Sequence, residues 1–271
     1  MEKQLRNDFE KIIKTSSFSK KDIDLKENYL NKFIKTGFPS RKFEEWKFSD
    51  ISQIIKKNIG ELDFYNDYSS PNKIDSSIFV DGLEHNKIIF INGRIEKIEF
   101  NYEDESRIEI LDQQDLKSNL DHENPLISLN NAFTNKYYKI VIKENYALKR
   151  PLIVYYTTTN NVNCTNINLR LDFLLEKNSS LKLIDISNDL SKKNFINILN
   201  NFELKKDSIL KNYKIDKKEN DNIKYSFNNI NQDINSISET FVLSSGSNFI
   251  KNEINCNLNG RYSSAFVNGI F

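Results

Sequence analysis

Two cysteines and two histidines are the residues of this 271-residue chain best suited to hold a metal or attack a substrate. Cys164 and Cys256 lie far apart with no CxxC pair, so spacing supports neither a disulfide framework nor a zinc cluster. Thiolates bind soft metals and sulfur. Cys164 falls between Asn163 and Thr165 at the entrance to a β-prone run and reads as an exposed thiol, a candidate for such a role beside the plainer reading of an incidental thiol. Cys256 shares parity with Ile254 and Leu258 and reads as a small buried hydrophobe. His85 and His122 sit in polar, loop-like stretches without a neighbouring Cys or paired carboxylate, and read as surface histidines. None of the 7 glycines belongs to a GxxxxGK[ST] or GxGxxG pattern, and neither GxSxG nor HExxH occurs. Phosphate cradling, a hydrolase elbow and a zinc-protease helix are therefore unsupported, and no catalytic, cofactor-binding or metal-binding residue is assigned.

A third segment could do chemistry of recognition. Phe38-Pro39-Ser40-Arg41-Lys42-Phe43-Glu44-Glu45-Trp46-Lys47-Phe48-Ser49-Asp50 holds the only Trp of the chain. One reading is a docking epitope anchored by Trp46. The other is a Trp that staples a loop onto the N-terminal helices, with Arg41 paired locally to Glu44 or Glu45.

The elements that must position these residues fall into two parts. Leu5, Phe9, Ile12 and Ile13 recur at helical spacing, and Ile23, Tyr29, Leu30, Phe33 and Ile34 form a second apolar face stopped by Gly37-Phe38-Pro39. Ser49 is placed to cap a third short helix carrying Ile51, Ile54 and Ile55. Asp63–Ser77 is polar and loop-like. Lys87–Lys97 holds two β-prone runs around Asn92-Gly93, the strongest hairpin signal in the chain. These elements predict a small helical α+β N-terminal domain over residues 1–120.

From about Leu126 the pattern becomes β throughout, which predicts a core domain over 121–271. Short apolar runs recur at Tyr138–Ile142, Leu152–Thr157, Ile167–Leu175, Leu181–Ile186, Phe195–Leu204, Ile209–Ile215, Ile223–Ile230, Ile237–Leu243 and Phe249–Leu258. Within Ile167–Leu175 the odd positions are apolar, while Asn168, Arg170 and Asp172 alternate with them. No Pro follows Pro151, so nothing interrupts hydrogen-bond ladders. With 7 Gly and 4 Pro, turns fall to Asn, Asp and Ser, which tolerate left-handed backbone. A sandwich, a barrel or a β-helix could supply such strands, and no fixed-period repeat is visible. Ala265–Phe271 is apolar and strand-like with no capping element after it. A solenoid needs a cap or partner over its last coil, so either something covers this edge or the chain is incomplete.

Charge and hydropathy narrow the function classes. The chain carries 39 Lys+Arg against 38 Asp+Glu, a net +1, which disfavours a dedicated nucleic-acid binder. Mean hydropathy is −0.60, and no apolar run approaches the ~20 residues of a membrane-spanning helix. Met1–Phe18 is charged and helical and does not resemble a signal core. A soluble, cytoplasmic protein is expected, with no membrane partner.

At Pro39-Ser40-Arg41-Lys42 with Glu44-Glu45-Trp46-Lys47-Phe48-Ser49-Asp50, the sequence resembles the SufB/SufD family of iron–sulfur cluster assembly proteins, its SufD branch in particular. Leu129-Asn130-Asn131-Ala132-Phe133 is similar to the family's LN-x-A-F stretch. Lys149-Arg150-Pro151-Leu152-Ile153-Val154 resembles its PI-x-I strand. Ser245-Gly246, Lys251-Asn252-Glu253-Ile254, Leu258-Asn259-Gly260 and Asn268-Gly269 follow its C-terminal order, with Lys251 where the family usually has Arg. The resemblance implies a mainly β fold: a right-handed parallel β-helix core behind a helical α+β N-terminal domain. It also implies a non-catalytic scaffold in a complex with SufB-like and SufC-like proteins, the latter an ABC-type ATPase. An Fe–S cluster would then be held transiently by the assembled complex. Pro39, Arg41, Glu44, Glu45, Trp46 and Lys47 are the signature residues, structural or docking in role. The family's further coils, His/Cys-bearing region and ATPase-binding helices have no counterpart here, so the partner contacts are expected beyond Phe271 and the chain is expected to be an N-terminal part. Two other classes stay open: a β-helix enzyme acting on polysaccharides, and a generic interaction module.

Overall fold

Apolar spacing at the start of the chain builds the helices. α1 (Glu2–Thr15) buries Leu5, Phe9 and Ile12, and α2 (Lys20–Thr36) buries Leu30 and Phe33. Ser19 caps α2 by accepting from the Asp22 N–H at 3.2 Å, and Gly37, at φ +71°, ends it by donating its N–H to the Phe33 carbonyl. The cap of α3 (Ile51–Asn58) lies one residue beyond the expected Ser49: the Asp50 carboxylate accepts from the Gln53 N–H at 3.1 Å. A carboxylate there also meets the positive end of the helix, which a serine hydroxyl does not exploit.

The structure is a computed structural model that describes residues 1–65, 78–113, 123–189, 191–216, 222–245 and 249–270. Most of the loop expected over Asp63–Ser77 lies outside the described residues, as do His122, Gly246, Phe271 and the division at 120/121. β1 (Asn86–Ile91) and β2 (Arg94–Glu99) form the hairpin expected at Asn92-Gly93. The turn residues have φ of +51° and +86°, the left-handed pair that a two-residue hairpin turn requires.

Beyond the hairpin the chain coils. β3 (Ile108–Gln113) pairs antiparallel with β4 (Tyr137–Ile142). Then follow β5 (Leu152–Thr158), β6 (Asn166–Leu175), β7 (Ser180–Asp189), β8 (Phe195–Leu204), β9 (Ile209–Asp216), β10 (Ile223–Gln232), β11 (Ile237–Ser244), β12 (Phe249–Leu258) and β13 (Ser264–Ile270). Every run expected as a strand is one. From β4 onward odd-numbered strands stack in one sheet, ordered β13-β11-β9-β7-β5-β1-β2 with the β1–β2 hairpin at its edge, and even-numbered ones in the other, ordered β12-β10-β8-β6-β4-β3 with β3 at its edge. From β4 onward each strand pairs in parallel with the strand one coil later. This is a parallel β-solenoid of about four turns, which decides among sandwich, barrel and β-helix.

Coil length explains why no repeat is visible in the sequence. Tyr138 pairs with Leu171, Asn166 with Phe195, and Ile223 with Phe249, so the step shrinks from 33 to 29 to 26 residues. The repeat that does exist is structural. At one corner Asn145, Asn178, Asp207 and Asn235 take φ of +60°, +53°, +61° and +56°. Each donates its N–H to a carbonyl on the next coil, at 2.9–3.0 Å. After three of them, Ser179, Ser208 and Ser236 each donate Oγ–H to the carbonyl three residues back at 2.6 Å. Asn and Asp are thus the turn formers expected from the scarcity of Gly and Pro. Asn also stacks within strands, where Asn229 Nδ2 donates to Asn201 Oδ1 and Asn257 Nδ2 to Asn231 Oδ1, both at 2.8 Å.

One helix departs from the β pattern expected from Leu126. α4 (Pro125–Phe133) is buried at every position, so it shows no apolar stripe against a polar one. Its start signals are nonetheless present: Asn124 accepts from the Leu126 N–H at 2.9 Å, and Pro125 occupies the first turn.

The corner residues make a direct prediction. Asn235→Val, which puts a β-branched side chain into left-handed backbone, lowers stability by about 1–2 kcal/mol, whereas Asn235→Gly loses only the amide contact to Asp207. Urea midpoints of the two variants check this, and equal loss in both contradicts it.

Candidate functional site

The signature segment folds as a clasp on the outside of the solenoid. After the buried Pro39, Phe38 having packed edge-on to Phe195 at 5.9 Å, the chain turns through a single 3₁₀ turn at Glu44–Trp46. Trp46 is 1% exposed and lies against Tyr225 of β10 and Phe249 of β12, at 5.8 and 6.5 Å between ring centres. The Lys251 ammonium sits 4.7 Å over the Trp46 ring, donates to the Glu45 carbonyl at 2.6 Å and pairs with Glu253 at 3.1 Å. Tyr225 OH donates to Glu253 at 2.6 Å and accepts from Asn124 Nδ2 at 2.7 Å. Burial, and then the Glu253 charge, push the Tyr225 phenol well above its ordinary range. The local ion pair is Glu44–Lys47 at 3.7 Å, while Arg41 and Glu45 are exposed. Trp46 therefore staples the segment, and its aromatic contacts are to β10 and β12, the last two strands of their sheet. A half-open cavity of about 290 Å³ lies beside it, walled by Phe43, Glu45, Trp46, Glu123, Pro125 and Glu253.

The other stretches singled out in sequence land on similar seams. Asn130 of α4 is fully buried, and its Nδ2 donates to the carbonyls of Leu169 and Asn197 at 3.1 and 2.9 Å, strapping β6 to β8. Its neighbour Asn131 accepts from Arg170, which forms a two-pronged pair with Asp172 at 2.8 and 3.1 Å. Ahead of Pro151, the Glu103 carboxylate accepts the N–H groups of Lys149 and Arg150, both at 3.0 Å, and Tyr146 OH at 2.7 Å. At Gly260 a Cβ would meet the Ile234 nitrogen at 2.0 Å, so close coil approach requires glycine there.

The thiols and histidines are placed differently. Cys164 is half-buried, in left-handed backbone at φ +55°, with Sγ 3.8 Å from the Ile59 carbonyl. Cys256 is half-buried on the inner face, and burial pushes its thiol up. Among the described residues no group of three or more His, Cys, Asp or Glu could hold a metal. His85 is not at the surface: it is 7% exposed, with Nδ1 2.7 Å from the Leu83 carbonyl and Nε2 2.8 Å from Tyr155 OH. The carbonyl can only accept, so Nδ1 donates to it. Burial against Tyr155, which itself packs on Phe79, is a tertiary effect that the polar local sequence conceals.

Two sets of buried charges were not anticipated. Inside the later coils Asp185 faces Lys214 at 3.4 Å, Lys224 faces Asp216 at 3.8 Å, and Lys214 donates to Ser226 at 2.8 Å. Burial holds the Asp185 carboxyl above the usual range against the pull of Lys214. Strand parity was the available signal, since Lys214 shares the inward face of β9 with Leu210 and Asn212. The cavity among these groups is about 10 Å³, room for about one water. The second set lies under α2, where the 2%-exposed Lys26 donates to the carbonyls of Asn131 and Thr134 at 3.2 and 2.6 Å. Burial, then the Arg170 charge, lower its pKa to about 7.

Fold and site together describe a helix-capped parallel β-solenoid whose distinctive residues tie cap to coils and coil to coil. Residues 155–271, from within β5 to the end of the chain, match the family described as SUF system FeS cluster assembly, SufBD core domain. This match supports the SufB/SufD family and a role in SUF iron–sulfur cluster assembly. No curated protein matches the chain. Among the described residues no helix is long and apolar enough to cross a membrane.

Lys26 supplies the pH prediction. The unfolded lysine titrates near 10.5 and the folded one near 7, so between these values the unfolded chain binds the extra proton and stability rises with pH. Urea midpoints of the parent chain are expected to climb from neutral pH toward the unfolded pKa, and Lys26→Met to flatten that climb. An identical slope in the variant contradicts the assignment.

Proposed function

We propose that this chain acts as a SufD-type, non-catalytic scaffold subunit of a SUF iron–sulfur cluster assembly complex in the cytoplasm. It works with a SufB-like solenoid and a SufC-like ABC-type ATPase. The nascent cluster is cargo of the complex and not a resident cofactor of this chain. The observation that carries the reading is the match of residues 155–271 to the SufBD core domain. The SufD branch rests on the resemblance at Pro39–Asp50, and the scaffold role on what the buried polar groups do. Asn130, Glu103 and Arg170 spend their hydrogen bonds on backbone and neighbouring side chains. The inner ion pairs leave space for about one water. ATP hydrolysis comes from the partner.

Co-purification from the native host tests the proposal. A tagged chain is expected to retain an ABC-type ATPase together with a second solenoid protein of the same family, in fixed ratio. Recovery of unrelated proteins alone, from a chain shown to be folded, overturns it.

A further inference from the structure

A polar cavity opens where α1 and the β1–β2 hairpin meet the start of β6. β4 pairs with β6 only over Leu171–Leu175. Ahead of that ladder the Asp63 N–H donates to the Cys164 carbonyl and the Asn166 N–H to the Asp63 carbonyl, both at 2.8 Å, which lays Phe64 beside the first residues of β6. The hairpin turn closes in from another side: a Cβ on Gly93 would meet Ile167 Cγ2 at 3.1 Å. Between them lies a half-open cavity of about 60 Å³. That is room for about four to six waters, or for a planar group of about as many heavy atoms. Ile12, Phe64 and Phe133 supply its apolar wall, and Arg94, Asn166 and Asn168 line its polar side.

Asn166 and Asn168 alternate with the luminal Ile167 and Leu169 and so face away from the lumen. Asn166 is 4% exposed and Asn168 is 7% exposed. Among the described residues neither Oδ1 nor Nδ2 of Asn166 has a hydrogen-bond partner, and nor does Asn168 Oδ1. Buried polar atoms normally find partners, because an unmatched one forfeits its bonds to water. Two acceptor atoms and one donor atom are thus left open at the cavity, and turning the Asn166 amide over leaves the same set. A primary carboxamide carries the complement, two N–H groups and one carbonyl on a planar unit of this size. A carboxylate brings acceptors alone and leaves both Asn oxygens unmatched. An ammonium or guanidinium brings donors alone, leaves Asn166 Nδ2 unmatched and meets the Arg94 charge on the same wall.

We propose that the cavity binds a primary carboxamide, the terminal group of glutamine or asparagine, supplied by the free amino acid or by a side chain of a partner protein. The inference stands apart from the cluster-assembly role, because it rests on this cavity alone.

Nitrogen–proton correlation NMR of the full chain, titrated with acetamide, tests it. So small a ligand binds in about the millimolar range. Saturable shifts are expected at Asn166, Asn168 and Gly93, and neither acetate nor N,N-dimethylacetamide, which lacks N–H donors, reproduces them. Asn166→Leu removes an open donor and an open acceptor together. Its urea midpoint is expected to equal or exceed that of the parent, because the side chain gives up no hydrogen bond within the protein, while acetamide affinity falls about tenfold or more. Should that variant misfold, Asn168→Ala decides instead, with a loss of about threefold or more. L-glutamine and N-acetyl-glutamine N-methylamide then separate the sources: tighter binding of the free amino acid assigns a small molecule, and tighter binding of the capped form assigns a peptide side chain. The proposal is overturned if acetamide gives no saturable shift at these residues, as for a cavity that takes up water only. It is equally overturned if acetate or the dimethyl analogue binds as well as acetamide, or if a folded Asn166→Leu chain binds acetamide as tightly as the parent.

Discussion

Parallel coiling sets this chain one problem at every turn. The backbone must double back so that each strand lies over its predecessor in register, about 4.8 Å away. The corner residues Asn145, Asn178, Asp207 and Asn235 solve it by adopting left-handed backbone and handing their N–H groups to the next coil. Everything else depends on that stacking. Register fixes parity, and parity sends Leu169, Leu171 and Phe173 into the lumen while Arg170 and Asp172 face the helices. Once parity is fixed, the outer surfaces of β8 and β10 present Phe195, Leu199, Tyr225 and Phe227 as the floor on which Trp46, Phe33 and α4 pack.

Much of this was legible in the sequence because strands and turns are local. Apolar runs bounded by polar residues mark the strands from β4 to β12, with two-residue alternation clearest in β6 and at Ile254–Leu258 of β12, and the shortage of Gly and Pro points to Asn turns. What stayed hidden is long-range. The shrinking coil step erases a fixed period, and α4, buried on all sides, loses the amphipathic stripe that identifies surface helices. His85 looks exposed in a polar stretch because its cover, Tyr155, lies 70 residues further along the chain. The clasp was half legible: a lone Trp among charges signals a staple, but the strands it grips lie some two hundred residues away, as the contact from Lys251 to Glu45 illustrates.

The polar residues of the candidate site join separate parts of the chain. Asn130, Glu103 and Lys251 each satisfy several partners from separate parts of the chain. Such polar seams contribute through the cost of leaving a buried group unpaired, on the order of 1–3 kcal/mol apiece, and they favour one arrangement of the coils over others. The inner pairs Asp185–Lys214 and Asp216–Lys224 act in the same sense. Desolvation makes them weak sources of net stability, so their contribution lies in specifying register. The SufBD core match over residues 155–271 falls on those register-locked coils.

The proposal at the centre of the account is that this chain contributes architecture and not sulfur chemistry. The direct measurement is cluster formation by a reconstituted complex containing a cysteine-free chain, read by the visible absorbance of the cluster and by transfer to an acceptor apoprotein. Cys164→Asn suits the left-handed backbone at that corner, and Cys256→Ala suits its half-buried place on the inner face. The account predicts the same rate and yield of cluster as with the parent chain. Loss of assembly by a folded, complex-forming, cysteine-free chain would contradict it and assign a thiol ligand to this subunit.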